Sequence, residues 1–360
     1  MSLLFKHPLI AHHPDQLTVK WAQQVVNQHD KRTNVKQVKI ISVDIGTTTR
    51  IRLQVSHNGP NSLPKQWFIK IPSLSWRARV ITALPRLLHT EARFYNELAD
   101  STPTTKPKVL AANSFLARGS TLVLHNISEQ GAIPGLPSDT LTIEQAQQMI
   151  ELLASLHARF WNKTHNNAKY NWLAGPVRKL EDHLGTALAV PLMKRGLNKA
   201  GNLVPTALHT PAIQYAHQRR RAMRFLAQGT QTIVHHDCHP GNLFWHNNKP
   251  GLLDWQMVRM GEGISDIAYF LATSLEPATR KANEIQLINH YTKTLAKKGI
   301  KNIHSDQILQ RYRAHLIYPL EAMLVTLAVG DMMDLEANHL LIKRAAAAVK
   351  DNNTFAELTL

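Results

Sequence analysis

Residues 231–256 read QTIVHHDCHPGNLFWHNNKPGLLDWQ, and two carboxylates and one amide stand out among them. Ile233-Val234, Leu243-Phe244-Trp245 and Leu252-Leu253 are short apolar stretches that suit strands. One turn is expected at Pro240-Gly241 and a second over residues 247–251, NNKPG. Asp237 and Asp254 therefore fall at the ends of short strands, with Asn242 on the loop between them. Loops at strand ends are where a rigid scaffold holds reactive groups. The set meets the needs of phosphoryl transfer. One carboxylate orients an acceptor hydroxyl and takes its proton, while a second carboxylate and an amide oxygen hold Mg²⁺ against the phosphates. Asp237 is the expected base, with Asn242 and Asp254 the expected metal ligands.

Asp237 and Asn242 have the D-x-x-x-x-N spacing of a kinase catalytic loop, and Asp254 follows after a further apolar strand. With the downstream GEGISDIAYFL, this stretch of about 40 residues resembles the aminoglycoside phosphotransferase and choline-kinase-like families. It is most similar to their ecdysteroid-kinase-like branch. The resemblance implies a protein-kinase-like fold, ATP or GTP as phosphoryl donor, and a small hydroxylated acceptor. It implies a supporting role for His235, which relatives use to brace the metal acid, and a buttressing role for Asp266. Read without the resemblance, Asp266 is a first-turn acid or N-cap of a helix. The sequence departs from the family at His236, where glycine is usual, which bears on the local backbone angle. His235, His236, Cys238, His239 and His246 raise zinc as a rival, but adjacent residues point in different directions and no second ligand pair is evident. Cys238 reads as a packed or partly exposed thiol rather than a nucleophile.

A nucleotide also needs a turn over its phosphates, a strand lysine, and a helix acid that pairs with it. Lys70 lies in the apolar strand WFIKIP, where a buried ammonium requires a partner. Glu91, in HTEARFYNEL on the next helix, is the candidate; the plain alternative is a snorkelling lysine and a surface acid. The phosphate turn is expected at Gly46, Thr47 and Thr48, with Thr49 following, although a full glycine-rich loop is absent. Leu124, His125 and Asn126, in TLVLHNIS, are the adenine candidates, through backbone groups at a connector between lobes. No Ala-Pro-Glu segment follows Asp254, which argues against a protein acceptor.

The elements that must position these groups can be read from periodicity. LTVKWAQQVVNQ places Leu17, Trp21 and Val25 at helical spacing. QVKIISVDI, TRIRLQVSH, KQWFIKIPS, KVLAANSF and TLVLHNI read as strands, and RLLHTEARFYNELA as a helix between the third and fourth. After the Gly/Pro-rich GAIPGLPSDT, Asp139-Thr140 is the expected cap of a long helix ending in HARFW. Helices then dominate to the C-terminus, apart from the β insert. The expected fold class is α+β and bilobal. Residues 1–126 would form a small antiparallel β-sheet lobe with one main helix, holding the nucleotide and ending in the connector. Residues 127–360 would form a larger, mostly helical lobe with the catalytic β insert and the acceptor site.

The chain has 360 residues, enough for two lobes, with 44% hydrophobic and 19% charged residues. Lys and Arg number 42 against 25 Asp and Glu, a net charge of +17 that attracts polyanions. The basic residues are scattered and not interleaved with aromatics, so a solvated basic surface is favoured over nucleic-acid binding. A single cysteine excludes an internal disulfide framework. No apolar run reaches membrane-spanning length, and the first fifteen residues lack a signal peptide's apolar core, so a cytoplasmic location is expected. A monomer or weak dimer is expected. The reading is an ATP-dependent phosphotransferase. A non-catalytic nucleotide-binding module and a basic nucleic-acid-binding protein remain as alternatives. The acceptor would be contacted by residues 165–230 and 305–345; Trp161, Tyr170 and Trp172 suit either a ring-bearing acceptor or core packing.

Overall fold

The computed structural model describes residues 9–75, 87–115, 119–163, 167–301, 303, 305–330 and 332–358. Parts of three expectations lie outside the described residues: the first eight residues, Arg86 of the predicted helix, and positions 165, 166 and 331 of the acceptor segments. The chain divides into two compact units, Met1–Ser101 with Lys106–Ile133, and Thr102–Thr105 with Pro134–Leu360.

The first unit opens with helix α1 (Val19–Val26) and strands β1 (Val35–Ile45), β2 (Thr48–His57) and β3 (Gln66–Pro72). Helix α2 (Leu87–Glu97) and strands β4 (Val109–Phe115) and β5 (Gly119–His125) follow. The strands form one antiparallel sheet in the order β1-β2-β3-β5-β4. Alternation in β2 explains its two faces: Ile51, Leu53 and Val55 are buried, whereas Arg50, Arg52 and Gln54 point the other way. Ile51 is in register with Ile69, and Leu53 with Trp67. On these side chains α1 lays Trp21, Ala22, Val25 and Val26, with Leu17 just ahead of its Thr18 cap. The Trp21 and Trp67 rings meet edge to face at 6.3 Å. Each such buried side chain contributes about 1.5–3 kcal/mol. The other face carries Arg50, Lys70 and Leu122 in one cross-strand row, and α2 brings Glu91 to it.

The division between the units falls within the two-residue strand β6 (Ile133–Pro134). Helices α3 (Ile143–Phe160), α4 (Pro176–Ala200), α5 (His209–His217) and α6 (Arg219–Leu226) precede the β insert. The cap of α3 is Thr142, not Asp139-Thr140: its hydroxyl accepts from the Gln145 amide, and the Gln145 side chain returns to the Thr142 amide. Asp139 instead accepts from the Leu136 amide. The insert comprises β7 (Gln231–Val234), β8 (Leu243–His246), β9 (Lys249–Leu252) and β10 (Arg259–Glu262). The β8–β9 turn is tighter than the expected five residues. Asn247 and Asn248 take φ of 50° and 58°, which closes a two-residue hairpin and leaves Pro250 and Gly251 inside β9. Helices α7 (Gly263–Ser274), α8 (Pro277–Lys297), α9 (Ser305–His315), α10 (Ile317–Val329), α11 (Leu335–Asp351) and α12 (Thr354–Glu357) complete the unit. Helix α7 is buried along its whole length, so its side chains are placed to serve the insert packed on it. Among the described residues no helix is long and apolar enough to cross a membrane.

Candidate active site

The loop after β7 is welded to the start of α7. Asp266, in the first turn of that helix, accepts hydrogen bonds from the backbone amides of His235 and His236, both at 2.8 Å. Beneath it, His157 of α3 lies 3.2 Å from the same carboxylate through Nε2 and 2.9 Å from the Tyr291 hydroxyl through Nδ1. The approach of α7 to this support is close. A Cβ on Gly263 would lie 2.5 Å from the Tyr291 oxygen and 2.8 Å from the His157 ring, so glycine is required there.

His236 adopts a φ of 71°, the left-handed conformation that glycine takes without strain. The residue that departs from the family thus stands where the backbone most favours glycine. Its ring stacks on Tyr318, with centroids 4.0 Å apart and planes at 20°. Burial, together with the charges of Arg259 and Arg178, pushes the His236 imidazole well below its ordinary pKa, so the stack is between neutral rings.

His235 braces the segment that carries Asp254. Its Nδ1 accepts from the Asp237 amide at 3.3 Å, which leaves Nε2 to donate to the Leu253 carbonyl at 2.8 Å. Its ring also meets Trp255 edge on at 4.8 Å. Both neighbours of Asp254 are therefore fixed by one imidazole. Leu253 is held a second time by its amide bond to the Asn242 carbonyl, at 2.8 Å. Asp254 itself has a φ of 57°.

Asp237 and Asn242 are joined directly. The Asn242 amide group donates to the Asp237 carbonyl oxygen and to its Oδ2, each at 2.9 Å. Those bonds use the amide's nitrogen side and turn Oδ1 of Asn242 away as an acceptor. The other carboxylate oxygen of Asp237 accepts from the Tyr269 hydroxyl at 2.8 Å. Burial and the adjoining Asp237 charge raise the Tyr269 pKa well above its ordinary value, so this phenol is a permanent donor. His239 lies 3.9 Å from Asp237; burial keeps its imidazole below the usual range although Asp237 and Asp254 both pull it up. Cys238 is buried, and burial with the charges of Asp266 and Asp237 raises its pKa well above normal, as for an inert thiol. Among the described residues no three His, Cys, Asp or Glu side chains converge as a metal site.

In the first unit, Lys70 Nζ reaches both oxygens of Glu91, at 2.9 and 2.8 Å, and both residues are buried. The expected phosphate turn is closed on itself. The Gly46 amide donates to the Thr48 carbonyl at 3.1 Å, the Gly46 carbonyl accepts from Ser73 Oγ at 2.7 Å, and the Thr49 hydroxyl accepts from the Leu74 amide. Thr48 is buried and Thr47 half-buried. Of the adenine candidates, Leu124 and His125 end β5, and Asn126 caps the short helical turn after it. The amide of His125 donates to the Lys108 carbonyl at 2.9 Å and that of Asn126 to the Gln66 carbonyl at 3.0 Å. Each of these amides is thus paired within the protein.

Tyr269 and His157 were not singled out by sequence reasoning as parts of the site. Tyr269 has a signal in hindsight: it follows Asp266 by three residues, so both lie on one face of α7. No such signal links His157 to residues more than 100 positions away.

An antiparallel amino-terminal sheet, a helical carboxy-terminal part and an Asp/Asn loop set on short strands together define a protein of the protein-kinase-like fold. The model of the ecdysteroid kinase-like family matches residues 45–305, and the chain belongs to that family. Among solved structures, a choline kinase from Cryptosporidium parvum Iowa II is similar, with a TM-score of 0.54 and 10% identity over 93% of this chain and 94% of that one. An ethanolamine kinase from Plasmodium vivax has a TM-score of 0.50 and 12% identity over 86% of this chain and 81% of that one. At these identities the likeness is one of fold. No curated protein matches the sequence.

Proposed function

We propose that this protein is a small-molecule kinase that moves the γ-phosphoryl group of ATP, or GTP, to an alcohol. The observation that carries the reading is Asp237, whose two carboxylate oxygens are aimed by Asn242 and Tyr269 on a loop anchored by Asp266. A carboxylate so held can orient a hydroxyl and accept its proton as the oxygen attacks.

Asn242 Oδ1 and the Asp254 carboxylate form an oxygen-only donor pair. This fits Mg²⁺, which takes one or two protein oxygens and fills its other positions with water and phosphate oxygens. The ion, when bound, neutralises charge on the phosphates. His235 acts in support, by holding Leu253 and Trp255 on either side of Asp254. Lys70, oriented by Glu91, meets the α- and β-phosphates. Gly46, Thr47 and Thr48 cover them, and the carbonyl side of Leu124, His125 and Asn126 receives the base. Residues 1–126 would then be the nucleotide lobe and residues 127–360 the lobe for catalysis and acceptor. The similarity to a choline kinase and an ethanolamine kinase supports a small acceptor. A cytoplasmic monomer or weak dimer completes the proposal.

The test is direct. Mg²⁺ with ATP should raise the melting temperature of the purified protein, and Asp254→Ala should diminish that rise. Asp237→Ala should keep ATP binding and lose phosphoryl transfer across a library of hydroxylated compounds. A wild-type protein that neither binds ATP nor phosphorylates any such compound overturns the reading.

A further inference from the structure

The phosphate turn presents a chemical problem. A nucleotide triphosphate carries several negative charges, and glycine-rich turns usually meet them with free backbone amides. Here the Gly46 amide is already bonded to Thr48, and the Thr49 hydroxyl to Leu74. Compensating charge must come from a side chain on the same face of the sheet as Lys70.

Among the described residues, one cation on that face stands directly opposite Lys70. Arg50, two residues into β2 after the turn, is the cross-strand partner of Lys70 on β3. Directly opposed residues of an antiparallel pair share a face, with Cβ atoms about 5 Å apart. Arg50 and Lys70 are therefore adjacent cations. Like charges set side by side repel unless each has an anion. Lys70 has Glu91, and Arg50 has Asp44, its own cross-strand partner on β1, at 2.6 Å. The two ion pairs differ in kind. Lys70 and Glu91 are buried, whereas the Arg50 and Asp44 side chains are 41% and 64% exposed. An exposed pair of this sort holds little free energy and exchanges readily. The guanidinium is also incompletely satisfied, since Arg50 Nε is buried without a hydrogen-bond partner. A planar fork with one unused donor, beside a second cation, matches a phosphate oxyanion better than a single carboxylate.

We propose that Arg50 is a second phosphate-binding residue of the nucleotide site, and that Asp44 occupies its guanidinium until a nucleotide displaces it. The proposal rests on the nucleotide-binding reading above and adds to it the residue that takes over from the missing glycine amides. Arg52 supplies an internal control. It points to the same face but lies two residue pairs farther from the turn, opposite Phe68.

Isothermal titration of the full-length protein with Mg²⁺ and ATP, and separately with adenosine, tests this. Arg50→Ala should weaken ATP about tenfold and leave adenosine affinity unchanged. Arg52→Ala should change ATP affinity by less than about twofold, the scale of a solvated charge. Asp44→Asn should tighten ATP by about threefold, because the competing carboxylate is gone. That variant also guards against misfolding, since a gain in affinity cannot come from a damaged protein. The proposal is overturned if Arg50→Ala binds ATP like wild type, if Arg50→Ala and Arg52→Ala lose equally, or if adenosine weakens as much as ATP. A wild type that binds no ATP overturns the nucleotide reading itself, which is a distinct result.

Discussion

Asp237 has a defined orientation because three unlike side chains define it. Asn242 supplies an amide proton to one carboxylate oxygen, Tyr269 a phenol to the other, and His235 accepts from the backbone amide of Asp237. Tyr269 is the addition that matters most, since it contacts the carboxylate itself from a helix 32 residues downstream. Hydrogen bonds to an ionised group contribute about 1.5–3 kcal/mol. Tyr269→Phe removes that bond while keeping the ring against Tyr318, whose centroid lies 5.5 Å away. The expected result is a fall of about tenfold or more in turnover, measured as ATP hydrolysis or as transfer to an acceptor. The thermal shift with Mg²⁺ and ATP should persist, because Tyr269 has no part in the nucleotide contacts. Unchanged turnover in Tyr269→Phe would remove it from the site. His236 shows a different economy: a non-glycine residue tolerates φ of 71° where its ring gains a stacked partner and its amide an Asp266 oxygen.

The β7–β8 loop behaves as one element, and its buried imidazoles give it a pH dependence. Burial is the main cause that lowers the pKa of both His236 and His239. The folded loop therefore holds them neutral, whereas the unfolded chain protonates them near pH 6.5. The unfolded state binds the extra protons, so stability is complete above about pH 7 and falls as the pH drops through 6.5. The slope is up to about 1.4 kcal/mol per pH unit for each histidine. Urea denaturation at pH 7.5, 6.5 and 5.5 should show the midpoint falling with acid, and His236→Phe should flatten the dependence. Glu262, held below the usual carboxylate range by His315 and Arg311 against its burial, loses its contribution only below about pH 4.5 and so falls outside that window. At this scale much was legible in the sequence. Apolar and β-branched content marked all five strands of the first sheet, and Gly46 marked the break between its first two. The α3 cap was misplaced by two residues because Asp139, Thr140 and Thr142 are all competent caps, and only Thr142 has Gln145 at the reciprocal position. The pairings that build the site were not legible. Asp237 with Tyr269, Asp266 with His157, and Arg50 with Lys70 depend on register and packing, which local spacing does not encode.

Across the whole molecule the charge of +17 is distributed unevenly between interior and surface. Acidic residues are drawn into ion pairs with arginines that are themselves buried: Arg178 with Glu181, Arg219 with Glu321, Arg280 with Glu284 and Asp351, and Arg344 with Glu276. Arg219–Glu321, Arg280–Asp351 and Arg344–Glu276 tie different helices or their caps together, Arg178–Glu181 and Arg280–Glu284 lie within one helix, and together they use up buried positive charge. The excess positive charge is left mainly to exposed lysines and arginines such as Lys31, Arg32, Lys36, Lys39, Arg220 and Arg221. A field of that kind attracts any polyanion without selecting among them. Heparin and a random single-stranded oligonucleotide should therefore bind alike in 50 mM salt, and both should dissociate steeply as salt rises, with affinity falling linearly against the logarithm of salt concentration. The thermal shift produced by Mg²⁺ and ATP should outlast them, because a contact such as that of Lys70, buried and braced by Glu91, is screened far less than surface charge. An oligonucleotide that stays bound at 0.5 M salt, or that competes with ATP there, would restore nucleic acid as a physiological partner. Equal loss of ATP and polyanion with salt would mean that the nucleotide is held by the same diffuse field and that the buried lysine has no part in binding it.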